Sequence, residues 1–397
     1  MGALRARLAE DEAQRRATEA RHHEEAKKGV KMTAAPGSGV SFKQGDAFSL
    51  TLRARMQLLF ESTTPTPRAV RAGQADETDM GFQVRRLRLV FMGNAFTPKL
   101  TYYIQLGLSN RDTEADLRLV PRDAYLDYAP LRDLHLRGGQ MKVPFGKQRV
   151  VSSSALQMVD RSTVTGELNL DRDVGVYLWS PDLGGLGKLQ YWAGVFGGEG
   201  RNRLASTAGG LFFARAQLTP LGLYDDLVEA DVERHDKPKA SIAASVAYNQ
   251  DTNRQRSTLG NTYALGEFSY LHAGADAQLK VRGFSVQSEL FYRKADEDRL
   301  RDPKGAAKDE YSRSAWGYYA QAGYIFPVPF ELSGRFGEYR PIGATDPTLK
   351  LFREAGGALS YYFAKHSLKA QADYFFLFGD DTRAERHQIR FQVQLFL

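Results

Sequence analysis

The sequence predicts an all-β protein: a transmembrane antiparallel β-barrel of about sixteen strands with a short N-terminal helical tail. Three observations predict it. Side-chain polarity alternates with a period of two from Phe48 onward, the connecting segments are short and long by turns, and the closing strand keeps its alternation to the final residue. On this reading residues 1–31 form a charged helical or disordered tail, 32–47 a linker, and 48–397 the barrel.

Composition fits that class and excludes others. Mean hydropathy is −0.44, and no apolar run reaches the length of about 18 residues that a spanning helix needs. A barrel strand needs only about 9–11 residues with every second one facing lipid, so its mean hydropathy stays low. Cys is absent, which removes disulfides, thiol catalysis and Cys-based metal sites. A net charge of +7 favours anionic partners or solutes.

The tail, 3–28, is rich in Ala, Glu and Arg and lacks Gly and Pro, so it reads as a solvated helix. Leu4 and Leu8 are too few to sustain heptads. The opening residues contain no apolar export signal, so for a barrel one is expected to have been removed or to be missing from this start. MTAAPGSG at 32–39 reads as the linker.

In FSLTLRARMQLLFE, Phe48, Leu50, Leu52, Ala54, Met56, Leu58 and Phe60 share one face, and Arg53, Arg55, Gln57 and Glu61 the other. A helix would scatter both arginines into its apolar stripe, whereas a strand separates them. The same alternation runs through ASIAASVAYNQ, YLHAGADAQLKV and the closing HQIRFQVQLFL. Short joints at 97–99, 130–133, 281–283, 326–329 and 364–366 interleave with long polar ones at 62–80, 109–121, 142–172, 250–262, 295–313 and 340–350. Sorting loop length by parity is the mark of an outer-membrane barrel, with turns at the periplasmic end and loops outside. The joint 219–239 breaks the rule: a short turn is expected there. Aromatic pairs and triplets such as Tyr102-Tyr103, Tyr318-Tyr319 and Tyr361-Tyr362-Phe363 are expected at the membrane interfaces.

The joint 142–172 has no steady period and contains Pro144 and Gly146. Folded into the lumen it would narrow the pore. It carries Lys142, Lys147, Arg149, Arg161 and Arg172 against Asp160, Glu167 and Asp171. The strand faces assigned to the lumen carry Arg53, Arg55, Arg86, Arg88, Arg137, Lys188, Arg215, Lys280, Arg293, Arg335, Lys369 and Arg390. Against these stand Glu61, Asp123, Asp127, Asp173, Asp276, Glu289, Glu331, Glu354 and Asp373. Rows of guanidinium groups replace part of an anion's hydration shell, and shallow repeated sites let it leave again. The basic excess is modest, because many of these charges pair with one another. It supports a general anion preference better than phosphate specificity.

Four stretches resemble a known family, the phosphate-selective porin O and P family. They are RRLRLVFMGNAF at 85–96, DAYLDY at 123–128 followed by LRGGQMKVPFG at 136–146, MVDRS at 158–162, and RDVGV at 172–176. The resemblance runs from about residue 48 to 397 and implies a trimeric sixteen-stranded barrel with an inward-folded third loop and a basic constriction favouring phosphate-like anions. Small residues on expected outward faces, Ala243, Ala244 and Ala247, would suit subunit packing.

Other function classes find little support. The seven histidines, His22, His23, His135, His235, His272, His366 and His387, form no HExxH pattern, and there is no GxSxG or P-loop. The expectation is a non-enzyme without cofactor. Basic residues two apart along strands make a poor nucleic-acid face. The remaining alternatives are a general porin with little ion preference, and a structural barrel that anchors the envelope through its tail.

Overall fold

A computed structural model describes residues 13–14, 16–21, 24, 29–70, 78–110, 121–203, 209–302, 305 and 309–397. The described residues between 13 and 24 are helical, a small N-terminal element. Two strands follow, β1 (Lys31–Ala35) and β2 (Gly39–Gln44), paired as a hairpin.

The barrel begins with β3 (Phe48–Pro65), β4 (Asp79–Ala95), β5 (Thr97–Gly107), β6 (Pro121–Leu131), β7 (Leu134–Lys142) and β8 (Arg172–Ser180). It continues through β9 (Leu189–Phe196), β10 (Gly210–Leu218), β11 (Lys239–Thr252), β12 (Phe268–Val281) and β13 (Phe284–Ala295). A two-stranded excursion, β14 (Arg299–Leu300) and β15 (Glu310–Tyr311), decorates the next loop. The wall then finishes with β16 (Ala315–Ile325), β17 (Phe330–Pro341), β18 (Phe352–Ala364), β19 (Leu368–Gly379) and β20 (Arg386–Phe396). Each barrel strand pairs antiparallel with its neighbours, and β20 pairs with β3 from Phe396↔Arg55 to Arg386↔Pro65, closing a barrel of 16 strands. Closure leaves no open edge in lipid, where an unpaired N–H or C=O would cost several kcal/mol.

Alternation decides which face meets lipid. Leu58, Leu126, Val176, Phe212, Ile242, Val246, Leu271, Leu332 and Ile389 are exposed outward, while their sequence neighbours Gln57, Asp127, Tyr177, Phe213, Ser241, Ser245, His272, Glu331 and Arg390 are buried inward. In soluble protein so much exposed apolar surface would aggregate; here it forms the lipid-facing belt.

Several sequence expectations change. The segment 32–47, expected as a linker, carries most of β1 and all of β2, and β2 pairs with the lower end of β3, Val40↔Leu52 to Gln44↔Phe48. Ala243 and Ala247 are buried inward and only Ala244 of that trio faces outward, because a period of two cannot place residues 243, 244 and 247 on one face. By the same rule Tyr319 and Tyr362 are buried in the interior, and only their neighbours Tyr361 and Phe363 are exposed.

The third loop, 143–171, folds into the barrel and packs against the wall from β9 round to β3. Val143, Phe145, Val164, Leu168 and Leu170 pack with Phe196, Leu211, Phe213, Phe291 and Tyr319 from the wall into one apolar cluster. Burying each such side chain contributes about 1.5–3 kcal/mol. The wall is carved to receive the loop: a Cβ at Gly274 would lie 3.2 Å from the Phe145 ring, and one at Gly323 would collide with the Gln157 side chain.

The exceptional joint, 219–238, also enters the lumen, from the turn end. Val228 packs on Val151, Ala155 and Leu156 of the third loop, and Ala230 packs with Ile325 and Tyr362. These contacts account for its length, since a short turn could not reach the underside of the third loop. The joint is an inward prop.

Candidate functional site

With the third loop against one half of the wall, open space remains along β4 to β10. Two cavities lie there, an upper one of about 530 Å³ toward the loop end and a lower one of about 400 Å³ toward the turn end. They share Arg88, Lys142 and Arg172, which therefore mark the passage from one to the other.

The upper chamber is lined by Arg85, Arg86, Arg88, Arg122, Lys142, Arg149, Arg161, Arg172 and Arg256, with Asp160 the single carboxylate of the lining among the described residues. Carboxylates bordering it hold part of this charge. Arg172 makes a bidentate pair with Asp123, both bonds 2.9 Å. Arg149 Nε donates to Asp171 at 2.7 Å, and Arg86 donates to Asp160 at 2.9 Å. Two cations differ. Lys142 Nζ donates to the carbonyls of Val150 (2.9 Å) and Val151 (3.2 Å). Arg161 donates to the carbonyls of Gln148 (2.8 Å) and Val151 (2.6 Å). Among the described residues neither makes an ion pair, so their charge is left for a solute.

The field inside this chamber shows in its loop residues. Burial pushes the Asp160 carboxyl up, yet the charges of Arg86, Arg85 and Arg390 outweigh it and hold the group well below the usual carboxylate range. Asp171 behaves alike: Arg149 and Arg172 overcome its burial. Arg161 is pulled well below the usual arginine range by burial and by repulsion from Arg149 and Arg86. An entering anion relieves that crowding.

Two lining arginines escape strict alternation for a definite reason. Strand β3 pairs Gln57 with Arg86 and Leu58 with Val84, so Arg85 is the extra residue of a β-bulge. Strand β5 pairs Gln105 with Asp123 and Leu106 with Pro121, so Arg122 is the extra residue of another. A bulge re-aims a side chain that alternation would send to lipid. The signal available was two consecutive polar residues, Arg85-Arg86 and Arg122-Asp123, where alternation allows one. Arg256, from the β11–β12 loop, had no such signal.

The lower chamber differs in chemistry. Tyr103, Tyr125, Tyr177, Trp179 and Trp192 line it with Arg137, Lys147 and Arg215. Arg137 pairs with Asp127 at 2.6 Å, and its guanidinium lies 4.5 Å from the Tyr125 ring, 5.6 Å from Tyr177 and 5.0 Å from Trp179. Lys147 of the third loop bonds Asp226 of the inward prop at 2.7 Å and Ser241 at 3.0 Å. Arg215 is bidentate to Asp276, 2.6 and 3.0 Å, and donates to the Phe145 carbonyl at 2.9 Å.

Of the seventeen cations assigned to the lumen from sequence, nine thus gather on the two chambers, Arg86, Arg88, Arg137, Lys142, Lys147, Arg149, Arg161, Arg172 and Arg215, while Lys188, Lys280 and Lys369 line neither. The other five lie elsewhere. Arg53 sits at the turn end, its Nε bonded to the Ser38 carbonyl at 3.0 Å. Arg55 lies under the third loop, bonded to Ser152 at 2.9 Å. Arg293 pairs with Glu167 (2.7 Å), Arg335 with Glu354 (2.9 Å) and Arg390 with Asp373 (2.8 Å), all behind the loop. All five face inward; the loop and the hairpin stand between them and the open space.

Comparison with known proteins agrees with the geometry. A family model described as phosphate-selective porin O and P matches residues 68–393. A protein of Aquifex aeolicus (strain VF5) is 22% identical over 295 residues, spanning 68% of this chain and 66% of that protein. Among solved structures, the outer membrane channel DcaP of Acinetobacter baumannii superposes with a TM-score of 0.58 at 14% identity, covering 91% of this chain and all of that one (100%). OmpF of Salmonella typhi gives 0.58 at 15% identity, with 89% and 98% covered. An anion-selective porin from Comamonas acidovorans gives 0.51 at 12% identity, with 88% and 99% covered. At these identities the structural likeness concerns the barrel fold.

Proposed function

We propose that this chain, which belongs to the phosphate-selective porin O and P family, conducts small anions passively across the outer membrane and favours phosphate-like ones. That it is a porin of the outer membrane follows from the family and from the barrel. The anion preference rests on one observation above all: among the described residues, nine cationic side chains line the upper chamber beside a single carboxylate. A multivalent oxyanion entering there exchanges water for several charge-assisted hydrogen bonds at once, and many adjacent donors let it step onward. Arg86, Arg88, Lys142, Arg149, Arg161 and Arg172 supply the donors at and above the passage, and Arg137, Lys147 and Arg215 continue the basic track below. No chemical step occurs; the solute gradient drives flow. The working unit is a homotrimer in outer-membrane lipid, a reading that rests on the family.

Reversal potential in a planar bilayer across a KCl gradient, repeated with added phosphate, tests this. The expected result is an anion-selective potential and a chloride current that phosphate reduces. A potential near zero would make the protein a general porin, and a closed barrel that passes no current would return the envelope-anchoring reading.

A further inference from the structure

We infer that the lower chamber is a subsite for the ring of an aromatic carboxylate, so that the channel passes ring-bearing organic anions as well as inorganic ones. The inference rests on the anion-channel reading and narrows its substrate class. Trp179 and Trp192 stand directly opposite each other on β8 and β9, both facing the lumen. They are two of the three tryptophans in the chain. Tyr125 and Tyr177 complete an aromatic box on one side of the lower chamber, whose whole volume of about 400 Å³ is typical of small-molecule sites. An inorganic anion has no use for such a wall, since π faces are negative and repel it.

Two guanidinium groups resolve that conflict. Arg137 lies against Tyr125, Tyr177 and Trp179, and Arg215 lies 5.8 Å from the Trp192 ring. Arginine over an aromatic face offsets the ring's negative potential and adds a planar surface on which a further ring stacks. Directly above, Lys142, Arg172 and Arg88 border both chambers, so a carboxylate held by these cations hangs its ring in the box.

The polar groups favour an arene over a sugar. Gln217 donates to Gln190 at 2.6 Å and to Asp226 at 2.6 Å, Asp226 also holds Lys147, and Trp179 donates to Asp127 at 2.9 Å. Groups already bonded to one another leave little for the hydroxyls of a carbohydrate, which would lose hydration without compensation.

The test is block of chloride current through the full chain by benzoate, acetate and glucuronate. Benzoate is expected to half-block at a concentration about three- to tenfold below acetate, the range that one aromatic pair contributes. In Trp179→Leu and Trp192→Leu the two acids should converge while phosphate block is kept. Equal block by benzoate and acetate, equal block by glucuronate, or discrimination that survives both substitutions overturns the subsite. Should the leucine variants not fold, Trp316→Phe leaves only the two chamber tryptophans, and their fluorescence must respond to benzoate and not to acetate; no response overturns the subsite equally. Loss of anion selectivity in the parent channel would sink the channel reading itself, whereas failed discrimination in an anion-selective channel sinks the subsite alone.

Discussion

Lys142 and Arg390 show how differently two inward cations can serve. Among the described residues Lys142 bonds only carbonyl oxygens, at the passage between the chambers, so its charge acts on whatever enters. Arg390 is bidentate to Asp373 at 2.8 Å on both bonds, behind the third loop, so that carboxylate offsets most of its charge and the rest acts on Asp160 before it reaches the open space. Removing a charge within about 4 Å of a solute changes its energy by about 1–4 kcal/mol between water-like and protein-surface screening. Lys142→Gln and Arg161→Gln are therefore expected each to lower the anion-to-cation permeability ratio by about fivefold or more, read from reversal potentials. Arg390→Gln should leave the ratio unchanged but strand a buried carboxylate, costing about 3–5 kcal/mol of stability. A selectivity loss in Arg390→Gln equal to that in Lys142→Gln would refute the division of roles.

At the scale of elements, the third loop and the inward prop form one polar and apolar unit. Glu229 of the prop accepts from Gln148 Nε2 at 3.1 Å, from the Gln157 backbone N–H at 2.8 Å and from Gln321 at 3.0 Å. Glu229→Ala removes all three bonds and leaves buried donors unsatisfied, about 1–3 kcal/mol each. We expect single-channel current through this variant to be noisier and larger, because the loop loses its floor; a current identical to wild type would show that the prop gives the loop no support. Asp160 and Asp171 have folded pKa values below their unfolded ones, so their anchoring of the loop is complete above the ordinary carboxylate range, near about 4, and is lost only as pH falls through the depressed values. The share of loop anchoring that Asp160 and Asp171 supply should accordingly not change between about pH 8 and about pH 5, so Asp160→Asn and Asp171→Asn are expected to alter conductance by the same factor at both ends of that window.

The same elements mark the limit of reading a sequence. Period-two alternation placed the strand faces because each strand tests itself every second residue, and loop parity gave the closed wall. The third loop was legible as irregular and charged, but its apolar residues Val143, Phe145, Val164 and Leu168 have no partner within the local sequence; their partners, such as Phe291 and Tyr319, lie far along the chain. The inward prop was visible only as an anomaly of length. Arg85 and Arg122 were hidden by bulges, and Arg293, Arg335 and Arg390 were read as pore groups because alternation reports inward direction and not what then stands in front.

For the whole molecule, closure depends on how the seam between first and last barrel strands is covered. Strand β20 covers β3 only from Arg55 to Pro65, and β2 takes over on the same edge from Leu52 down to Phe48. The hairpin thus extends the seam where the closing strand stops, and Arg53 fastens it through the Ser38 carbonyl. Between the two, Ala54 and Leu397 exchange backbone bonds of 3.1 and 2.8 Å. Removing residues 1–44 would bare the lower edge of β3, and each backbone bond lost there costs about 0.5–1.5 kcal/mol net. A lower temperature for the unfolding shift on an SDS gel is expected, with reversal potential and phosphate block unchanged, since both chambers lie above the hairpin and neither is lined by it. If truncation instead leaves the unfolding temperature untouched while altering the reversal potential, the hairpin belongs to the exit of the pore and the seam is sealed by β20 alone.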